Sequence, residues 1–208
     1  MDPVFVPIFP LPDVTFFPHT LLPLHVFEGR YRALVTDCLA RDRRLAVAGL
    51  RPGHEREYHG RPPVFDVFGV GRIVRCERLA TGRFNIVLRG EGRLRLLREM
   101  PADTLYRIAA ARPLAEAGAE RPGVARLATE VRAQCLRLLG ALGRSTAEVQ
   151  EALGTIEAPG ELADRVTSAV LPQAAVRQTL LEELDVERRL TGLSTCLGQL
   201  LERLAEDR

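Results

Sequence analysis

Six of the chain's 14 prolines fall within its first 23 residues, at Pro3, Pro7, Pro10, Pro12, Pro18 and Pro23. Proline fixes φ and gives up its amide donor, so no helix survives that spacing and a central strand would lose ladder bonds. The first thirty residues must therefore run extended, in short strands and turns, with residues 4–9 the predicted first strand. Pro7, Pro10 and Pro12 also break the apolar stretch, and no basic segment precedes it. The stretch reads as neither a signal peptide nor a transmembrane helix.

From Arg30 the pattern changes. Tyr31, Leu34, Val35, Cys38 and Leu39 recur at helical spacing on one face, which predicts a helix over residues 30–42. Residues 45–50 form a short apolar run closed by Pro52-Gly53, and 51–63 read as a polar loop. Strands follow at 65–79, 84–89, 93–97 and 106–111, the first two joined by a turn at Ala80-Thr81-Gly82-Arg83, where glycine supplies positive φ.

Residues 113–123, rich in Ala, Gly and Pro, read as a linker. Beyond them the strand signal vanishes. Leu127, Val131, Cys135, Leu138 and Leu142 mark a helix over 123–142, and Ser145 with Glu148 has the spacing of a capping box for the next. A third helix is predicted over 160–171 and a fourth from Gln173; Asp185 either lies within that fourth helix or, the preferred reading, caps a fifth carrying Leu190, Leu193, Leu197, Leu200, Leu201 and Leu204. The fold class is α+β by segregation: a β-rich domain over 1–115 and a helical bundle over 116–208. A chain of 208 residues, 46% hydrophobic and 27% charged, has the material for two such cores.

No residue is a lysine, so all 29 basic residues are arginines. That excludes a P-loop, Schiff-base chemistry and Ser-Lys catalysis. Only Ser145, Ser168 and Ser194 could serve as serine nucleophiles, and none sits in a GxSxG elbow. Gly69-Val70-Gly71 and Gly90-Glu91-Gly92 lack the third glycine and following helix of a dinucleotide loop, and read as strand bends or bulges. His54, Glu55, Glu57 and His59 could ligate a metal, but Arg51, Arg56 and Arg61 beside them favour a solvated charged loop. His25 and Glu28 could form an acid-base pair. The preferred reading places Glu28 at the start of the helix near Arg30. Cys38, Cys76, Cys135 and Cys196 are far apart with no CxxC pair, as free thiols of a reducing, cytoplasmic compartment would be.

Residues 9–32, FPLPDVTFFPHTLLPLHVFEGRYR, resemble the opening signature of the Lon protease amino-terminal domain, a run of the form FPL…LFPG…LPLxIFExRY. Phe68-Gly69-Val70-Gly71-Arg72-Ile73, Gly82-Arg83-Phe84-Asn85-Ile86 and the segment 90–96 are similar to that family's strands. Leu162-Ala163-Asp164 and the run from Gln178 through Asp185 to Leu190 are similar to its LAD and QxLLExxDVxxRL segments. His19 stands where glycine is usual, Gly29 where proline is usual, and Gly69 precedes the family's glycine position.

The resemblance implies a PUA-like β-barrel with one helix, followed by a helical bundle. It also implies a non-enzymatic module without cofactor that captures unfolded or client polypeptides, alone or with a protease or chaperone partner. The chain ends at Arg208, before an ATPase could begin. The apolar stock of the amino-terminal segment is large for one short strand to bury, which makes Phe16, Phe17, Leu21, Leu22, Phe27 and Tyr31 the candidate peptide-binding residues. Two other readings stay open. RNA binding would use Arg72, Arg75, Arg78, Arg83, Arg89, Arg93, Arg95 and Arg98, although few aromatics interleave with them and the chain's +2 net charge is small. A homodimer would use the leucines of the last helix.

Overall fold

The computed structural model describes residues 2–53, 61–101 and 104–206. It divides into two compact units, Met1–Leu114 and Ala115–Arg208.

Among its described residues the first unit holds six strands and one helix: β1 (Val4–Leu11), β2 (Leu21–Val26), α1 (Gly29–Leu39), β3 (Arg44–Gly49), β4 (Val67–Arg78), β5 (Phe84–Glu99) and β6 (Arg107–Leu114). β1 runs parallel to β3, an arrangement that needs a long crossover, and α1 lies within it. The remaining pairs, β3–β4, β4–β5, β5–β6 and β6–β1, are antiparallel and return the pairing to β1. β2 is added outside this cycle, on β5.

Residues 84–89 and 93–97, expected as separate strands, are one strand of 16 residues. Gly90 and Gly92 face Gly71 and Val70 of β4, and the register shift between them leaves Glu91 as the extra bulge residue. The glycines mark a bulge, as their sequence suggested, and the ladder continues through it.

Period-2 alternation splits the apolar residues between two faces. Val6, Ile8, Ala46, Ala48, Phe68, Val70, Leu94, Ala109 and Ala111 form one core cluster, where alanines leave room for the larger neighbours. Phe9, Leu45, Val47, Ile73, Ile86 and Leu88 point the other way and are covered by Tyr31, Leu34, Val35 and Cys38 of α1 and by Phe16.

The segment before β2 lies across β4 and β5. A Cβ on Gly69 would strike the Phe16 carbonyl, and one on Gly90 would strike the Phe17 carbonyl, both well inside contact distance. The approach is tied by backbone bonds from His19 N to Gly90 O (3.0 Å) and from Gly90 N to Thr20 O (2.9 Å). His19 adopts a left-handed φ of 61°, the conformation that makes glycine the usual residue at this turn.

The second unit is helical: α2 (Pro122–Ala141), α3 (Ala147–Gly154), α4 (Pro159–Val170), α5 (Ala174–Glu182) and α6 (Val186–Glu206). Its core joins Leu127, Val131 and Leu138 of α2 to Leu162 and Val166 of α4 and to Leu190, Leu193 and Leu197 of α6. Asp185 caps α6, its carboxylate accepting the Arg188 N–H at 3.1 Å. The Ser145–Glu148 capping box does not form. The residue preceding α3 is Thr146, one position later than that spacing requires, and no side chain caps the helix. Of the expected linker, Pro113 and Leu114 belong to β6, and Ala117 bridges to Asp185.

Arg189 is fully buried among the helices. Its guanidinium meets Glu116, lies 3.4 Å from Asp164 Oδ1, and donates to the Glu183 carbonyl at 2.9 Å. Removing one member of a buried charge cluster leaves the rest uncompensated. Asp164→Ala should lower unfolding stability by about 3–5 kcal/mol, read from urea transitions. Gly90→Ala should cost about 2–3 kcal/mol in the same assay, because the added methyl meets backbone that cannot rotate away.

Candidate functional site

Three observations set the orientation of β2. The Thr20 carbonyl accepts from Gly90 of β5, and alternation along an antiparallel pair then turns the backbone groups of Leu22, Leu24 and Val26 toward β5. Those of Leu21, Pro23 and His25 face away. Pro23 agrees, because a proline at an outward position removes no bond from the β2–β5 ladder. Side chains follow the same parity: Leu22, Leu24 and Val26 pack on the core, while Leu21, Pro23 and His25 are exposed. Among the described residues β2 pairs with β5 alone, so its outer edge is unpaired.

The exposed face of β2, β5 and β4 carries a row of hydrogen bonds set by strand register. His25 is opposite Asn85, and Asn85 is opposite Glu77. Asn85 Nδ2 donates to Glu77 Oε2 at 3.0 Å, so its Oδ1 accepts from His25 Nδ1 at 2.8 Å. That bond places the proton on Nδ1 and leaves Nε2 as the free ring position. Pro23, His25, Arg75, Glu77, Asn85 and Val87 line a shallow concavity of about 710 Å³ beside this row. Two large apolar side chains stand at the ends of β2: Leu21 is 63% exposed and Phe27 59%.

The six expected peptide-binding residues are therefore divided. Leu21 and Phe27 are on the surface and Leu22 is half-buried. Phe16, Phe17 and Tyr31 are core residues, Tyr31 stacking on Phe9 with centroids 4.0 Å apart. His25 and Glu28 do not form a pair. His25 binds Asn85, whereas Glu28 precedes α1 and bonds Arg30. The arginines considered for RNA are likewise dispersed: Arg93 is buried, Arg72 is held by Glu91 at 2.9 Å, and Arg78 lies over the Phe84 ring. His54, Glu55, Glu57 and His59 lie outside the described residues. Among those described, no group of three or more His, Cys, Asp or Glu side chains is placed to hold a metal ion. No described helix is long and apolar enough to cross a membrane.

The joining of His25, Asn85, Glu77 and Arg75 on one face escaped sequence reasoning, although His25 and Arg75 were singled out for other roles, because they meet only through cross-strand register. Residues sixty positions apart carry no local signal of being opposite each other.

A second concavity of about 490 Å³ is lined by Phe5, Asp37, Cys38, Arg41, Arg93 and Tyr106, among others. The Tyr106 hydroxyl donates to Asp37 Oδ2 at 2.6 Å. Burial first, then that bond, pushes the phenol up to about 12. Burial first, then the nearby Asp42 carboxylate, pushes the Cys38 thiol up to about 12. Both groups are thus held in their neutral forms.

A two-unit α+β protein, with six strands and six helices among the described residues and an open surface at a sheet edge, is the class that these elements define. Residues 6–198 match the family model of the substrate-binding domain of ATP-dependent protease La (LON). The chain belongs to that family. It is 26% identical over 205 residues to a Lon protease of Desulfosudis oleivorans, covering 97% of this chain and 25% of the relative. It is 28% identical over 203 residues to Lon protease 2 of Sorangium cellulosum, covering 96% of this chain and 25% of the relative. The chain thus spans about a quarter of the length of the curated relatives it matches. Among solved structures, the N-terminal domain of Mycobacterium avium complex Lon protease shares the fold with a TM-score of 0.76 at 22% identity, over 94% of this chain and 98% of that one. A Lon N-terminal domain protein from Xanthomonas campestris does so at 0.66 and 23%, over 91% and 96%.

Cys38 and Tyr106 are neutral when protonated, and the native state holds their protons more tightly than the unfolded state. Their contribution to stability is full below the unfolded thiol value of 9.0 and is lost as pH rises toward about 12. Urea midpoints should fall across that window. Tyr106→Phe, although less stable at neutral pH for want of the Asp37 bond, should fall less steeply.

Proposed function

We propose that the chain is a non-enzymatic polypeptide-binding module, an adaptor or regulator of proteolysis that presents unfolded client segments to a protease or chaperone partner. The observation that carries this reading is the coincidence of two facts. The chain belongs to a family described by substrate binding, and large apolar side chains stand exposed at both ends of β2, whose outer edge pairs with no described strand.

Leu21 and Phe27 offer apolar anchors, with half-buried Leu22 and Leu24 beneath them. An interface of this kind draws its energy from apolar burial, which salt does not screen. The buried Phe16, Phe17 and Tyr31 serve the same surface indirectly, by fixing where β2 begins and how α1 follows it. The alternative RNA reading has less support, since Arg93 is buried, Arg72 is held by Glu91 and Arg78 lies over the Phe84 ring.

Fluorescence anisotropy with a labelled, unfolded, apolar-rich polypeptide tests the proposal, with an unstructured RNA in parallel. Polypeptide binding should survive a rise from low to high salt with less than about a tenfold loss. Leu21→Ser combined with Phe27→Ser should weaken it by roughly tenfold or more while leaving the urea transition in place, since two apolar anchors of this size are worth more than about 1.4 kcal/mol together. Binding to RNA alone, lost steeply as salt rises, would overturn the reading.

A further inference from the structure

Among the described residues, the outer edge of β2 is a row of backbone groups at a fixed spacing that no other strand pairs. Leu21 and His25 each present an N–H and a C=O, and Pro23 presents a C=O between them. Edges of this kind are templates for another strand, and folded proteins usually cover, shorten or charge them. β2 is covered by no described strand, and its exposed side chains, Leu21, Pro23 and His25, include no formal charge among Asp, Glu, Lys or Arg.

We infer that a client polypeptide binds in extended form as an additional strand along the outer edge of β2. This inference rests on the polypeptide-binding reading above and specifies how that binding is made. The client's amides bond to the outward groups of Leu21, Pro23 and His25, which explains how one site can accept many sequences: the backbone is common to all of them. Alternate client side chains then lie on the exposed face beside Leu21 and Phe27 and above the His25–Asn85–Glu77 row. Arg75 and Arg89 stand exposed on that sheet face beside the carboxylate of Glu77, while Glu91 is already paired with Arg72 and Arg44, so the face favours a client segment with acidic residues between its apolar ones.

A second copy of the chain fits the edge less well. In an antiparallel β2–β2 pair, the register that uses all three outward residues sets Leu21 opposite His25 and Pro23 opposite Pro23. Two carbonyls would then meet with no donor between them. An ordinary client segment supplies that donor.

The test separates this inference from the reading beneath it. In the free protein the amides of Leu21 and His25 should exchange with solvent quickly, and those of Leu22, Leu24 and Val26 slowly. Addition of the unfolded polypeptide should slow Leu21 and His25 by at least tenfold. Methylating the client's backbone nitrogens at alternate positions should weaken binding at least tenfold for one parity and little for the other. His25→Pro, which deletes an outward donor without touching the β2–β5 ladder, should weaken binding at least tenfold relative to His25→Ala, which retains it. Polypeptide binding that ignores both methylation patterns, with Leu21 and His25 still exchanging quickly, would overturn the strand-addition inference and leave the binding reading standing. Leu21 and His25 amides already protected in the free protein, with protection that grows with protein concentration, would assign the edge to a second copy and also overturn it. No polypeptide binding at all would remove the reading itself. The peptide arm needs no variant, so it decides the question even if His25→Pro fails to fold.

Discussion

The first unit is organised by the seating of Phe16 and Phe17 on the glycines of β4 and β5. A loop can cross a sheet this closely only where the strands beneath it lack side chains, and Gly69, Gly71 and Gly90 clear that lane. The consequences propagate along the chain. With the two aromatic rings buried and the backbone tied to Gly90 on both sides of the turn, the chain must leave the turn alongside β5. β2 therefore begins in a register set by Gly90 rather than by its own weak, proline-bearing sequence. That register brings His25 opposite Asn85, turns Pro23 outward and leaves Leu21 in solvent. The exposed edge is thus a result of the buried contact.

The helical unit has a comparable centre in Arg189. Its buried guanidinium gathers the carboxylate of Asp164 on α4, that of Glu116 ahead of α2, and the carbonyl of Glu183 before α6. Gly160 belongs to the same arrangement, since a side chain there would displace the Glu116 carboxylate. The signatures by which the chain resembles its family therefore have structural uses. The aspartate of the LAD segment meets the arginine of the DVxxR segment, and Asp185 of that second segment caps the helix carrying the arginine. A motif of this kind identifies a fold while saying little about the surface on which a client would sit.

This explains what was legible in the sequence and what was not. Helices α2, α4 and α6 were readable because their apolar positions repeat every three or four residues within one segment, a purely local signal. The capping box at Ser145 failed because any serine three residues before a glutamate matches it, whereas α3 begins after Thr146 with no side-chain cap. The burial of Phe16 and Phe17 was not legible for a different reason: the space they occupy is made by glycines more than fifty residues away. A signal was nevertheless present. Three glycines inside strands of β-branched and apolar residues are costly unless something must come close, and two adjacent phenylalanines were the bulkiest unassigned pair available to do so.

An open strand edge also invites pairing with a second copy of itself. Pro23 bears on it directly. At an inward position it would break the pairing with β5, and at its actual outward position it leaves that pairing intact while removing one donor from the exposed row. The loss weighs unequally on possible partners. Another β2 brings the same deficiency to the same place, so the two defects coincide, whereas a segment with ordinary amides brings a donor where one is missing. One residue thereby discourages self-pairing through the full edge and still permits addition of a foreign strand, which is the combination that a surface for extended polypeptides requires.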